Sequence, residues 1–438
     1  MNNKIKLNRP LNAEQSHLLK NMKGEINSDR TSAVSFEMFE TLVLRPFFDR
    51  QDIALLMEDD FSSVYIGKKS FYELRTEAEK RMLKKNSETG CVKLEEIYSC
   101  LEKISKISPA SREKLMNREC ELEEYFCYPR RCGSELYQNA REKGMKIIIT
   151  ADTFLPRKTV EKILKNCGYD NWDKLYITGE LNIPKAPDGQ LFRKICKDIK
   201  LPAHRLLHFG GDLSADAEAP IKAGTRSVLV TSCRDRLIKS GQLCGYIQKK
   251  IFFDFCSQKH LSLRCILALY SHYAFDYPQK RIALSDFCGD RYMAGFLILG
   301  ALSLDQSHKK PHKLKKAILT AMEETSEITA GKEDFSAVFS SHFGSHLDKY
   351  GYAGCELPFE FYTEHGAVED RMFIQNKLPS DVVSKWAVEV SEPETAPVYV
   401  GEVKQSAMSK LADKMFPPGT QVRIYAEGVL AKLHKKKL

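Results

Sequence analysis

Short apolar runs alternate with amphipathic stretches between residues 30 and 240. The apolar runs predict buried strands, and the amphipathic stretches, several of them closed by a glycine, predict helices. The predicted strands are 34–39, 146–150, 175–178, 206–210 and 227–231. The predicted helices are 134–143, 156–168, 190–200 and 215–223. This repeated strand–helix–strand order predicts an α/β fold in which helices cover both faces of a parallel sheet.

The stretch at 49–128 breaks this alternation. It is rich in Glu, Lys and Leu, as in SFYELRTEAEKRMLKK, and carries almost no strand signal. Because a connection of this length is too long for a loop, we predict a helical subdomain inserted into a core that spans 30–240. Residues 1–29 then form a polar N-terminal arm. The return from the insert to the core carries Arg130 between two cysteines, and we interpret it as a hinge.

The alternation is also lost after the core. Residues 250–330 have a mainly helical pattern, and the rest of the chain is mixed, with strand-like runs at 397–403 and 420–429. We therefore define 241–438 as a C-terminal region, mainly helical and then mixed α/β. The pattern assigns it no role.

The composition, 43% hydrophobic and 29% charged residues, is that of an ordinary globular protein. The net charge of +9 is spread along 438 residues, so we expect no nucleic-acid partner. The 13 cysteines include no Cys-x-x-Cys pair, a usage that fits free thiols in a reducing compartment. The N-terminus lacks an apolar signal core, and the longest apolar run, 293–304, is too short to span a bilayer. We expect a soluble, cytoplasmic protein without a membrane span.

Residues able to carry chemistry stand at or just after the predicted strand ends. Because these ends meet at one rim of a parallel sheet, we expect the side chains to surround one pocket. Glu37 and Asp212 could bind Mg²⁺, a cation that prefers oxygen ligands. Thr150 and Lys185 could hold phosphate oxygens. Asp216 falls in the first turn of the next predicted helix, near its positive end.

Four segments carry a resemblance to a known family, and they occur in the order FEMFETLVLRP, ADTFLP, Lys185 and GGDLSAD. They resemble the four motifs of the haloacid dehalogenase (HAD) superfamily of hydrolases. The similarity is greatest to a branch found with bacterial surface-polysaccharide genes, and it covers about residues 30–235. The resemblance implies a Rossmannoid parallel sheet with a helical cap at 49–128.

The resemblance also implies roles for individual residues. Glu37 takes the position of the nucleophile, Thr41 that of the motif-one threonine, and Lys185 that of the phosphate lysine. The motif-two hydroxyl position is Ala151 when aligned from the following Phe-Leu-Pro, and Thr150 when aligned from the strand end. The implied Mg²⁺ ligands are Glu37, the backbone carbonyl of Phe39, Asp212 and Asp216.

Motif one departs from the family pattern. Glu37 replaces the aspartate nucleophile, and its extra methylene moves the carboxylate by about 1 Å, which can lower the rate on the order of 100-fold. Glu40 replaces a second aspartate. Phe39 stands where phosphatases of the superfamily usually have a general acid, but the resembled branch also has Phe there, so this residue does not by itself exclude activity. We therefore expect a Mg²⁺-dependent phosphatase or phosphotransferase scaffold for a small phosphorylated metabolite, with activity weakened or lost. The alternative is an inactive pseudoenzyme that binds a partner protein through its cap or C-terminal region.

Overall fold

The computed structural model describes residues 11, 13–87, 90–184, 188–239, 261, 265, 268–269, 271–272, 275–277, 311–316 and 318–319. The predicted strands at 397–403 and 420–429 lie outside these residues, and so does most of the predicted helical stretch 250–330. Within that stretch, nearly every described residue is helical. No helix in the described part of the chain combines the length and the apolar character that crossing a membrane requires.

A five-stranded parallel sheet forms the centre of the described fold. The strands among the described residues are β1 (Ala33–Glu37), β2 (Val43–Leu44), β3 (Tyr128–Pro129), β4 (Lys146–Ala151), β5 (Lys174–Ile177), β6 (Leu206–Gly210) and β7 (Arg226–Leu229). The sheet has the order β5-β4-β1-β6-β7, and β2 and β3 form a separate antiparallel pair. Phe36 of β1 lies opposite Ile149 on one side and Phe209 on the other. The predicted α/β fold with a parallel sheet is confirmed.

Helices flank the sheet and fill the insert. They are α1 (Ala13–Ile26), α2 (Glu58–Ser62), α3 (Phe71–Lys85), α4 (Leu94–Ser105), α5 (Pro109–Phe126), α6 (Arg131–Glu142), α7 (Arg157–Asn166), α8 (Thr178–Leu181), α9 (Gln190–Asp198), α10 (Ala219–Lys222) and α11 (Cys233–Lys239). Two apolar clusters cover the sheet: a large one that continues into the insert, and a smaller one between the sheet and α9. The strands are buried because helices shield both of their faces.

The insert between β2 and β3 is helical, as its sequence predicts. A 3₁₀ segment, Arg50–Met57, leads into α2, and α3, α4 and α5 follow. Ser70 begins α3 with a capping box to Glu73, and Ser108 caps α5 ahead of a proline. The N-terminal caps therefore set where these helices start.

A buried ion-pair network joins three helices of the cap. Arg75 of α3 donates two hydrogen bonds to Glu119 of α5, at 2.9 and 2.8 Å, and one to Glu79 at 3.0 Å. Tyr98 of α4 donates a further bond of 2.6 Å to Glu119. All four side chains are buried, and the bidentate geometry is the strong form of an arginine–carboxylate pair.

The segment predicted as an α-helix at 215–223 is a π-helix, Leu213–Glu218, followed by the short α10. A proline interrupts the helical hydrogen bonds directly after it. In an α-helix, the amide of residue 220 would donate to the carbonyl of Asp216, but Pro220 has no amide hydrogen. The Ser227 hydroxyl donates to that carbonyl instead. The irregular turn therefore remains satisfied although the helical ladder is interrupted.

Candidate active site

Glu37 is the last residue of the central strand, so its side chain lies at the rim where the carboxyl ends of the parallel strands meet. Its direct neighbour across the β1–β4 pair is Thr150. Only 6% of Glu37 is exposed. The carboxylate is therefore held by the protein rather than by solvent.

Both carboxylate oxygens of Glu37 accept hydrogen bonds from the end of β4. The Thr150 hydroxyl donates to Oε2 at 2.8 Å, and the Asp152 backbone amide donates to Oε1 at 3.2 Å. Of the two alignments open for motif two, the hydroxyl that faces Glu37 is that of Thr150, while Ala151 is a buried apolar residue. The loop after β4 thus forms a small anion cradle, which Glu37 itself fills.

The side chain of Asp152 continues this arrangement to the next strand. Its Oδ1 accepts a hydrogen bond of 2.6 Å from the hydroxyl of Thr178, which begins α8 directly after β5. Sequence reasoning missed Thr178 as a partner of the site. Its signal was available, since it is a polar residue at the end of a predicted strand.

Asp216 lies in the π-helix after β6 and is buried, with 2% exposure. Its Oδ2 accepts a 2.8 Å hydrogen bond from the Asp212 amide, and its Oδ1 lies 3.1 Å from His208 Nε2. The carboxyl group approaches β6 so closely that a Cβ on Gly210 would lie 2.2 Å from its carbon. A glycine is therefore required at that position.

His208 connects Asp216 to the middle of the sheet. Its Nδ1 lies 2.7 Å from the Ser35 hydroxyl, and both residues are fully buried. Ser35 and His208 stand directly opposite each other on β1 and β6. Sequence reasoning missed this pair, although two polar residues inside apolar strands were a signal. The pair fixes the orientation of the Asp216 carboxylate.

Asp212 is exposed, and its Oδ1 accepts a 2.7 Å hydrogen bond from the Ala215 amide. It is thus the N-cap of the π-helix. Within the described residues, no group of three His, Cys, Asp or Glu side chains is arranged to hold a metal ion. Glu37 and Asp216 already accept hydrogen bonds from protein donors, but a carboxylate oxygen has a second lone pair, so these acids remain ligands of the type that Mg²⁺ prefers.

The turn that follows Glu37 is unusual in its backbone. Glu40 has a φ of 62°, in the left-handed region, which costs a residue other than glycine about 1–2 kcal/mol. Thr41 is completely buried, and its hydroxyl has no hydrogen-bond partner within the described part of the chain. Thr41 therefore lies within the packing behind the turn.

Phe39, at the position of the general acid, lies beneath the cap. The guanidinium of Arg45 lies 3.5 Å from the centre of its ring, and Arg45 Nε donates a 2.7 Å hydrogen bond to Glu123 of α5. Both charged side chains are largely buried. A cation–π contact and an ion pair thus connect the turn to the cap. Lys185, the predicted phosphate lysine, lies outside the described residues.

No family model matches this sequence, and no curated protein matches it at a significant level. The chain is similar in structure to a predicted phosphoglycolate phosphatase from Haemophilus somnus 129pt, with 15% identity, a TM-score of 0.33, and 46% of this chain and 86% of that chain covered. The chain is also similar to a haloacid dehalogenase-like family hydrolase from Xanthomonas campestris, with 13% identity and a TM-score of 0.34; the match covers 46% of this chain and 82% of that one. A third similar structure is CbbY from Rhodobacter sphaeroides in complex with phosphate, with 16% identity and a TM-score of 0.32; the match covers 46% of this chain and 86% of that one.

Proposed function

We propose that this chain is a HAD-like phosphatase or phosphotransferase scaffold whose phosphoryl chemistry is weakened or lost. One observation supports this proposal most directly: the Glu37 carboxylate occupies the donors at the end of β4. In the family that the sequence resembles, the motif-two hydroxyl and the lysine hold the phosphate. Thr150 has that position here, and its hydroxyl donates to Glu37.

The extra methylene of glutamate explains why the position matters. It lets the carboxylate reach the Thr150 hydroxyl and the Asp152 amide, donors of the type that stabilise a bound oxyanion. A substrate phosphate would have to replace both hydrogen bonds, each worth about 1 kcal/mol or more because the acceptor is charged. The same carboxylate would also have to attack from a shifted position, and near-attack geometry tolerates little displacement. Glu37 thus disfavours both the binding of a substrate phosphate and the nucleophilic attack on it.

The substrate class follows from the resemblance. A likeness to the branch found with surface-polysaccharide genes makes sugar phosphates the first substrates to test, with Mg²⁺ as the metal ion. The nine cysteines in the described part of the chain are all free thiols, which fits the reducing, cytoplasmic setting that we propose for this activity.

The test is Mg²⁺-dependent phosphate release from a panel of sugar phosphates and an aryl phosphate. We expect Glu37→Asp to exceed the wild type on the order of 100-fold, because the shorter side chain withdraws from the cradle. Asp212→Ala in the Glu37→Asp background should abolish the gain. Glu142→Asp is the matched control, since it deletes the same methylene at an exposed position on α6, and it should leave the rate unchanged.

The other outcomes are equally informative. A wild type that equals Glu37→Asp in rate contradicts the proposal and makes Glu37 a working nucleophile or ligand. If no variant releases phosphate although every variant is folded, the result favours the alternative, a pseudoenzyme that binds a partner protein.

A further inference from the structure

Arg130 lies where the chain returns from the cap to the core, and it is 1% exposed. Its guanidinium donates hydrogen bonds to backbone carbonyls, not to carboxylates. The acceptors are Glu40 in the motif-one turn, Thr231 after β7 at 3.3 Å, Phe275 at 3.1 Å and Asp276 at 3.0 Å. One side chain thus joins three stretches that are far apart in the sequence.

The first of these stretches is the turn that carries the candidate site. Arg130 holds it twice, because its own backbone amide donates to the Leu42 carbonyl at 2.8 Å. The Tyr169 hydroxyl donates to the same carbonyl at 2.6 Å. Gly133 lets α6 approach the turn closely, since a Cβ there would lie 2.0 Å from the carbonyl oxygen of Thr41. These contacts keep Glu40 in its left-handed conformation.

The second stretch belongs to the C-terminal region. His272, Phe275 and Asp276 are buried against the return from the cap. The His272 Nδ1 is hydrogen-bonded to the Tyr128 hydroxyl, and the Cys233 thiol donates to the Phe275 carbonyl at 3.4 Å. The described residues of this stretch, 271–272 and 275–277, therefore pack on the core, and we call them the docked segment.

The charges around Arg130 are incompletely matched. Oε2 of Glu40 has no hydrogen-bond partner among the described residues, and the Asp276 carboxylate has only the backbone amides of Arg131 and Cys132 beside it. Arg130 Nε lies 3.7 Å from Asp276 Oδ1, and Arg131 Nε lies 4.0 Å from Oδ2. The Arg130 guanidinium thus lies between two carboxylates while its hydrogens bind carbonyls. Any movement of Asp276 changes the electrostatic field on the group that holds Glu40.

We propose that Arg130 is a positioning residue through which the docked segment sets the conformation of the motif-one turn, 37–42. Docking supplies two of the carbonyls that Arg130 needs and one of its counter-charges. When the docked segment moves away from the core, Arg130 loses these partners, and its guanidinium can then move away from the Glu40 carbonyl. The turn thereby loses a contact that keeps the Glu40 backbone left-handed. This gives the C-terminal region a role at the site, and it holds whether or not the site turns over a substrate.

The test is amide hydrogen exchange of the full chain, followed in peptides that cover 38–44, 94–126 and 271–277. The amides of Leu42 and Val43 both bond the Met38 carbonyl, so they report directly on the turn. Asp276→Asn keeps the side-chain shape and removes the counter-charge. We expect exchange at 38–44 to rise about 5-fold or more, as typical for coupled sites, while 94–126 stays unchanged. Arg130→Lys, which cannot reach three separate carbonyls, should raise it further.

Tyr277→Phe is the matched control. It removes the hydrogen bond from the Tyr277 hydroxyl to Glu135 on the same segment and leaves the Arg130 donors untouched. Exchange at 38–44 should therefore match that of the wild type. If Asp276→Asn loosens 271–277 and leaves 38–44 unchanged, the two stretches are independent and the proposal is wrong. A uniform rise in all three peptides also overturns it, because it would mean that Asp276 supports only global stability.

Discussion

Two of the buried arginines in the described part of the chain organise their surroundings in different ways. Arg75 in the cap directs its hydrogen bonds to the carboxylates of Glu119 and Glu79. Arg130 at the return to the core directs its hydrogen bonds to backbone carbonyls and leaves its carboxylate neighbours without them. In the cap, the charged guanidinium is paired with charged carboxylates. At the return to the core, the charged guanidinium is bound by the dipoles of neutral backbone carbonyls.

The pKa values of the acids reflect this difference. Burial opposes ionisation of Glu79, but Arg50 and Arg75 hold the pKa of its carboxyl below the ordinary value. Burial raises the pKa of Asp276 to about 6, although Arg130 and Arg131 act against it. Burial also raises the pKa of Glu40, against Arg130 and Arg45. The cap network is electrostatically complete, whereas the network at the motif-one turn is not, so we expect the cap to be rigid and the turn to respond to its surroundings.

The largest effect should come from breaking the cap network. Arg75→Met leaves Glu119 buried without its arginine and Glu79 with Arg50 alone, which should lower the free energy of unfolding by about 3–5 kcal/mol. Urea unfolding of the full chain measures it. Arg81→Met, on the same helix but at an exposed ion pair, is the control and should leave the free energy nearly unchanged. Equal effects of the two substitutions would contradict the role given to Arg75.

A smaller effect should appear in the pH dependence of stability. The folded state raises the pKa of Asp276 to about 6, so this carboxyl contributes stability that is present below its unfolded pKa and is lost as the pH rises through about 6. Asp276→Asn should lack this pH-dependent loss, which is on the order of 3 kcal/mol between about pH 4 and pH 7. Denaturant unfolding at a series of pH values measures the difference.

His272 has the opposite sign and provides the control. Burial, with help from Arg130, lowers its pKa to about 3, so its contribution is present above about pH 6.5 and is lost as the pH falls. The two residues oppose each other between about pH 4 and pH 6. In His272→Gln, only Asp276 titrates, so the free energy of unfolding should fall as the pH rises from about 4 to 6. In Asp276→Asn, only His272 titrates, so the free energy of unfolding should fall as the pH is lowered over the same range. Variants that keep the wild-type pH profile would show that neither group titrates in this range.

The smallest effect compares two tyrosine hydroxyls. Tyr98→Phe removes the bond to Glu119 in the cap, and Tyr169→Phe removes the bond to the Leu42 carbonyl at the turn. Each should lower the free energy of unfolding by about 1 kcal/mol. Only Tyr169→Phe should also speed hydrogen exchange at 38–44. If Tyr98→Phe has the same local effect, the cap and the turn do not behave as separate units.

Much of the site could be predicted from the sequence. The ends of apolar runs placed Glu37 and Thr150 together, because parallel strands in register bring their carboxyl ends to one rim. The bounds of β6, 206–210, were also predicted correctly. In contrast, β1 ends at Glu37 rather than at residue 39, since the chain enters the turn that Glu40 closes with its left-handed backbone.

What could not be predicted depends on contacts between distant residues. The hydrogen bond from Arg130 to the Asp276 carbonyl joins residues 146 apart, and no local pattern announces it. The sequence showed Arg130 only as part of a hinge. Likewise, Pro220 offers no amide to the Asp216 carbonyl, which accepts a hydrogen bond from the hydroxyl of Ser227 in the following strand instead. The hydrophobic periodicity of this stretch predicts an ordinary α-helix and gives no sign of this contact.

The position of β1 has a consequence for how the chain is made. Among the strands of this sheet it is synthesised first, yet it is the middle strand, and its partners lie 113 and 173 residues later. Closing such long loops slows folding, whereas the cap helices need only local contacts and can form early. Until β4 and β6 emerge, β1 is an apolar strand with two open edges. During synthesis this strand is therefore a hazard for aggregation, which the finished protein no longer presents.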